Sequence, residues 1–243
     1  LIVYKSGPEA HPWISQEERE YILTGQRNVE TNEVADYAPD TKEILSRKES
    51  WGVILASFFL DPIWWLFVGW LPIYLLNTYG FGVEEIAVYA WIPYVGAMFG
   101  AWFGGLLAGN RLKAGWTVNR TRKTVIGLGG LIMLVSLLAT TQASTPLTAV
   151  LIMAVILFGF QTAVGNIQTL PSDFYSGKSV GSLAGFAGTA AKLAVVLLNF
   201  LIPVITVNSY TPAFLVGAGL AIMTVLSVLI FCPDIKPLKP KSA

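Results

Sequence analysis

Six apolar stretches of about twenty residues, strung along one chain with short polar connections between them, restrict this sequence to very few folds. They lie at about 51–77, 84–109, 124–141, 147–170, 181–206 and 211–232. Each matches the ~20 residues a helix needs to cross the hydrocarbon of a bilayer. Inside lipid the backbone must satisfy its own hydrogen bonds, so the stretches read as helices. The expected fold class is an all-α polytopic membrane protein. A polar connection with one short helix covers 1–50, a six-helix bundle covers 51–232, and a tail covers 233–243. Only 13% of the 243 residues are charged, against roughly 25% in soluble domains, and about half of those charges lie in the first fifty positions.

The connections alternate in charge. Asn77 to Glu85 has two acids and no base, whereas Arg111 to Lys123 has five bases. Thr140 to Thr148 is uncharged, Pro171 to Val180 contains Lys178, and Val207 to Thr211 is uncharged again. The tail ends with Lys236, Lys239 and Lys241. Basic connections stay on the cytoplasmic side during insertion. Both termini of this segment are therefore expected to be cytoplasmic, in a cell inner (plasma) membrane. Arg111, Arg120, Arg122 and Lys123 read as topology and gating residues, with anionic lipid headgroups as neighbours. A net charge of +1 gives no reason to expect a nucleic acid partner.

Smaller signals fill in the map. Ser15-Gln16-Glu17-Glu18 is a capping box that predicts a helix to about Leu23, ending at Gly25. Residues 28–41 have few apolar anchors and are expected to be mobile. Leu1-Ile2-Val3-Tyr4 resembles the end of a cut helix, so the chain is expected to be a fragment. The single Cys232 excludes an internal disulfide and a cysteine-based metal site. Gly96, Gly100, Gly104 and Ala108 recur every four residues, and Gly181, Gly185 and Thr189 repeat that spacing. Such stripes mark places where helices in lipid approach closely.

Polar side chains inside apolar spans need a reason. Asp61 is the one acid deep within a span, and an unpaired carboxylate there costs several kcal/mol. It reads as a substrate or proton-coupling contact, or as a cap for backbone groups freed by Pro62. Lys192 is the one base within a span, where insertion costs about 2.5–3.5 kcal/mol. It would meet a carboxylate of the substrate, pair with Asp61, or snorkel to the surface. Gln161 and Gln168 share a helical face that Asn166 leaves, and all three amides, like Asn199, need hydrogen-bond partners. Trp64, Trp65 and Trp70 read as packing or interface residues, with Trp65, one turn past Asp61, the candidate for stacking on a sugar. No catalytic constellation, phosphate loop, dinucleotide fingerprint or metal cluster stands out, and the lone His11 reads as solvated. An enzyme is not expected.

Four stretches resemble the anion:cation symporter branch of the major facilitator superfamily, with its hexuronate and galactonate carriers. They are Pro8-Glu9-Ala10-His11-Pro12 with Ile14-Ser15 and Tyr21-Ile22, then Asp61-Pro62-Ile63-Trp64-Trp65. The others are Gly104 to Lys123, and Gln161 through Leu170-Pro171-Ser172-Asp173-Phe174 to Val180-Gly181-Ser182. The resemblance implies the C-terminal six-helix half of a twelve-helix carrier, with substrate bound between two halves. It places Gln161 and Asn166 along the cavity. Hexuronate-like relatives often have a basic residue one turn before the Asp, where this chain has Ser57, so Lys192 is expected to replace that cation across the cavity. Ser57, Asp61, Trp65, Gln161, Asn166 and Lys192 thus form the expected substrate-binding set. Superfamily loops of the Gly104–Lys123 type usually contain an Asp. Here Asn110 stands before Arg111 with no acid close by in sequence, which leaves that loop's gating ion pair without its acid. The implied function is import of a small organic anion of hexuronate or aldonate type by ion-coupled symport. Its partners would be the missing N-terminal half, the lipid bilayer and the anionic substrate. No cofactor is expected beyond a proton or sodium as coupling ion. A carrier of a neutral sugar and a non-transporting membrane subunit or sensor are the alternatives.

Overall fold

The computed structural model describes residues 7–30 and 39–240. The helix end expected at 1–4, and most of the mobile stretch expected at 28–41, lie outside the described residues. Glu18 donates its backbone N–H to Ser15 Oγ at 3.1 Å, as a capping box requires. Helix α1, Gln16–Glu30, nevertheless runs past Gly25, the expected stop. A glycine weakens a helix interior by only about 1 kcal/mol. Helix α2, Thr41–Leu45, starts at Asp40, whose carboxylate accepts the Glu43 N–H. Ile44 is completely buried, and Ser179 Oγ donates to Pro39 O at 2.8 Å. The end of the polar connection is therefore docked on the bundle.

Six membrane-length spans follow. Helix α3, Lys48–Tyr79, begins three residues before the expected start and carries Pro62 and Pro72 in its interior. It ends at Gly80 with φ 72°, a left-handed cap that glycine adopts without steric cost. The second span is in two pieces, α4 (Val83–Tyr89) and α5 (Ile92–Lys113), with the break just ahead of Pro93. Proline fits the first turn of a helix and not its interior. Helices α6 (Val118–Thr140) and α7 (Pro146–Gln168) start at Thr117 and Thr145, whose hydroxyls accept the backbone N–H three residues on. The short α8 (Leu170–Phe174) leads into α9 (Gly177–Ile205) and α10 (Thr211–Phe231). No strand occurs among the described residues.

Packing divides the bundle into two groups that meet where α10 lies against α6 and α3 against α7. Helix α7 lies against α5 and α6, while α3 lies against α9 and α10, and α10 also reaches α6. The stripe on α5 does what its spacing predicts. A methyl group added at Gly96, Gly100 or Gly104 would strike the α7 backbone at Ala154, Phe158 and Thr162. Thr162 Oγ1 also donates to Gly100 O across that contact, at 3.3 Å. The stripe on α9 differs from expectation: among the described residues nothing lies within 4 Å of a methyl group placed at Gly181 or Gly185.

The two ends of the bundle are chemically distinct. At one end, Asn77 donates to Tyr210 OH at 2.9 Å, and Tyr79 OH donates to Ala143 O at 3.5 Å. The connections after the first, third and fifth spans therefore meet there. At the other end, Arg47 donates to Lys239 O at 2.7 Å, Lys123 to Pro233 O at 2.7 Å, and Leu238 N–H to Phe174 O at 2.9 Å. The up-and-down threading follows from these pairings, and the basic connections all gather at the second end.

Candidate functional site

The middle of α9 holds the central charge. Lys192 stands fifteen residues from Gly177 and thirteen from Ile205, about 20 Å from either helix end at ~1.5 Å per residue. That is farther than a lysine side chain extends. Its Nζ instead donates to Asp61 Oδ2 of α3 at 2.6 Å. Among the described residues this is the one bond of the Asp61 carboxylate, so it does not cap backbone groups freed by Pro62. Lys192 also lies 5.3 Å from the centre of the Trp65 ring, within cation–π range. Trp65 thus faces the same cation one helical turn from Asp61.

The pair forms one wall of a cavity of about 440 Å³ between α3, α7 and α9, also lined by Ser57 and Gln168. The Lys192 side chain is 62% exposed and that of Asp61 25% exposed, so the cation projects into the opening. A positive charge held by one carboxylate, with further N–H donors unoccupied, can accept a second carboxylate from a bound molecule.

A second recess, of about 450 Å³, opens between α5 and α7 and is lined by Gln161, Asn166, Gln168 and Arg122. Val164 and Gln168 line both spaces, so Gln161 and Gln168 share the open face of α7, as their spacing predicts. Asn166 borders the same recess but is largely buried. It is 4% exposed, its Oδ1 accepts from Arg122 Nη1 at 3.0 Å, and its Nδ2 donates to Thr162 O at 3.3 Å. Its amide is committed to the protein rather than free for a ligand. Asn199 is committed likewise, donating to Val195 O and accepting from Trp70 Nε1. Trp64 packs between Tyr94 and Phe160.

The basic end holds an ion pair that sequence reasoning missed. Arg122 grips Asp173 of α8 through Nε at 2.8 Å and Nη2 at 3.4 Å. Both side chains are 15% exposed. The acid absent from the α5–α6 connection therefore comes from a residue 51 positions away. Of the other gating candidates, Lys123 holds the tail at Pro233 O, while Arg111 and Arg120 both lie over the Trp116 ring.

Comparison with known proteins gives this geometry a context. The sequence profile of the Major Facilitator Superfamily matches residues 2–198. The hexuronate transporter of Escherichia coli K12 is 30% identical over 233 residues, which cover 95% of this chain and 52% of that protein. The galacturonate transporter of Dickeya chrysanthemi is 37% identical over 142 residues, 55% of this chain and 39% of that protein. The chain spans about half the length of the curated relatives it matches most fully.

Proposed function

Because this chain belongs to the Major Facilitator Superfamily, we propose that it forms the C-terminal half of a carrier that imports a small organic anion of hexuronate or aldonate type. The observation that carries this reading is the Lys192–Asp61 pair, set midway along its helices and opening into a cavity lined by Ser57 and Gln168, with the Trp65 ring beside the Lys192 ammonium. Lys192 supplies the counter-charge for a substrate carboxylate. Gln161 and Gln168 supply amides for hydroxyl groups, and Trp65 gives a face for the sugar ring. The similarity to hexuronate and galacturonate transporters supports the same substrate class.

The open faces fit a carrier built from two halves. Helix α9 exposes Lys192 and its small-residue stripe, and the span formed by α4 and α5 is buried over only 17% of its most apolar stretch. A second six-helix unit, with lipid around the outside, would cover these faces and complete the site. Alternating access would rock the halves about the midplane, with the basic end cytoplasmic in the plasma membrane. Arg122–Asp173 would brace that end. Asp61 would couple transport to a proton or sodium, because it would share Lys192 with the substrate.

The test is uptake into vesicles bearing the complete carrier, with galacturonate set against galactose. Lys192→Ala is expected to abolish galacturonate uptake while the protein still inserts and purifies normally. Unchanged uptake of the acid, or equal uptake of acid and neutral sugar by the unaltered carrier, would overturn the proposal.

A further inference from the structure

The five bases of the α5–α6 connection fall into two groups. Arg122 and Lys123 are tied to the protein through Asp173, Asn166 and Pro233. Arg111, Lys113 and Arg120 are not: among the described residues their side chains meet no acid and donate no hydrogen bond, and all three are exposed. Two of these unpaired cations are nevertheless held together. The Arg111 and Arg120 guanidinium carbons lie 4.7 Å and 3.9 Å from the centre of the same Trp116 ring, so they are within 8.6 Å of each other.

The local fold enforces this arrangement. Gly115, at φ 82°, turns the chain in the left-handed region, and Trp116 N–H returns to Arg111 O at 3.0 Å. That bond fixes the indole beside the last turn of α5. Thr117 then caps α6 and sets Arg120 in its first turn. A base in the first turn opposes the helix dipole, and a second guanidinium beside it adds like-charge repulsion. The ring relieves part of that cost by cation–π attraction, but it leaves both planar forks without an acceptor. Unoccupied guanidinium forks held on one indole suit the bidentate recognition of a phosphate.

The surroundings identify what carries the phosphate. Met98, Trp102 and Leu106 are exposed along one flank of α5, four residues apart, and Lys113 continues that flank. An apolar path up a membrane-spanning helix, ending in a cation at the mouth of the hairpin, matches the two parts of a phospholipid. We propose that Arg111, Arg120 and Lys113, organised on Trp116, bind the phosphate of an anionic phospholipid whose acyl chains lie along α5. This site stands apart from the Lys192 cavity and does not depend on which solute is carried.

Native mass spectrometry of the purified, delipidated protein tests it, with phosphatidylglycerol offered against phosphatidylcholine. The unaltered protein should retain the anionic lipid preferentially. The double variant Arg111→Gln/Arg120→Gln should lose that preference by roughly tenfold or more, while Lys178→Gln, a base on another connection, should keep it. If the double variant does not fold, the single Arg120→Gln compared with Lys178→Gln decides by the same readout. Equal retention in the arginine variants and in Lys178→Gln would overturn the proposal. Full displacement of the lipid by millimolar inorganic phosphate would also overturn it, by showing a site for the free ion.

Discussion

The stripes of small residues on α5 and α9 share a four-residue spacing and differ in what lies against them. On α5, Gly96, Gly100 and Gly104 press on the backbone of α7 closely enough to exclude a methyl group. On α9, Gly181 and Gly185 face open space among the described residues, on the helix that also carries Lys192. Spacing shows that close approach is possible; it does not name the helix that approaches. The α5 stripe holds this bundle together, whereas the α9 stripe is a surface that its own bundle leaves uncovered.

Substitution should separate the two most sharply. Gly100→Leu must displace the backbone at Phe158 and is expected to destabilise by more than the ~1–3 kcal/mol typical of overpacking, read as lost monodisperse protein on gel filtration in detergent. Gly185→Leu should leave the melting temperature in detergent within the scatter of ordinary surface changes, about 0.5 kcal/mol, yet impair uptake by the complete carrier. Equal losses of stability at both positions would erase the distinction.

A smaller effect is expected at the basic end. Arg122→Gln leaves Asp173 buried without its partner, which costs about 1–3 kcal/mol and should lower the melting temperature. Arg111→Gln removes no partner within the protein and should not.

Thiol labelling gives the finest comparison. Burial pushes the Cys232 thiol up to about 12, so at pH 8 almost none is thiolate and maleimide should leave it unmodified. A cysteine introduced at Gly185 should then label quickly in the isolated chain and slowly in the complete carrier. Rapid labelling in both would show that nothing covers α9.

The six spans, the alternation of charge and the α5 contact were legible because each arises from local pattern: hydropathy over twenty residues, bases grouped by connection, and glycines four apart. The Lys192–Asp61 pair was legible as one of three possibilities, since two opposite charges within apolar spans each need a partner. Asp173 was not, because pairing across 51 residues leaves no periodic trace, and Leu170-Pro171-Ser172-Asp173-Phe174 entered only as part of the resemblance. Asn166 was placed on the cavity through the resemblance, while its position off the Gln161–Gln168 face already pointed inward. The docked tail was missed as well. Ile235 is 2% exposed within a segment read only as a basic tail.

That tail has a mechanical consequence. Arg47, just ahead of α3, holds Lys239, and Cys232 donates through its thiol to Glu49 O at 3.6 Å, so the strand entering the bundle is fastened to the strand leaving it. The six helices are thereby closed into a ring at their basic end. A pull on the incoming chain is passed directly to the outgoing one, and the helices between them are moved as one block instead of being drawn apart.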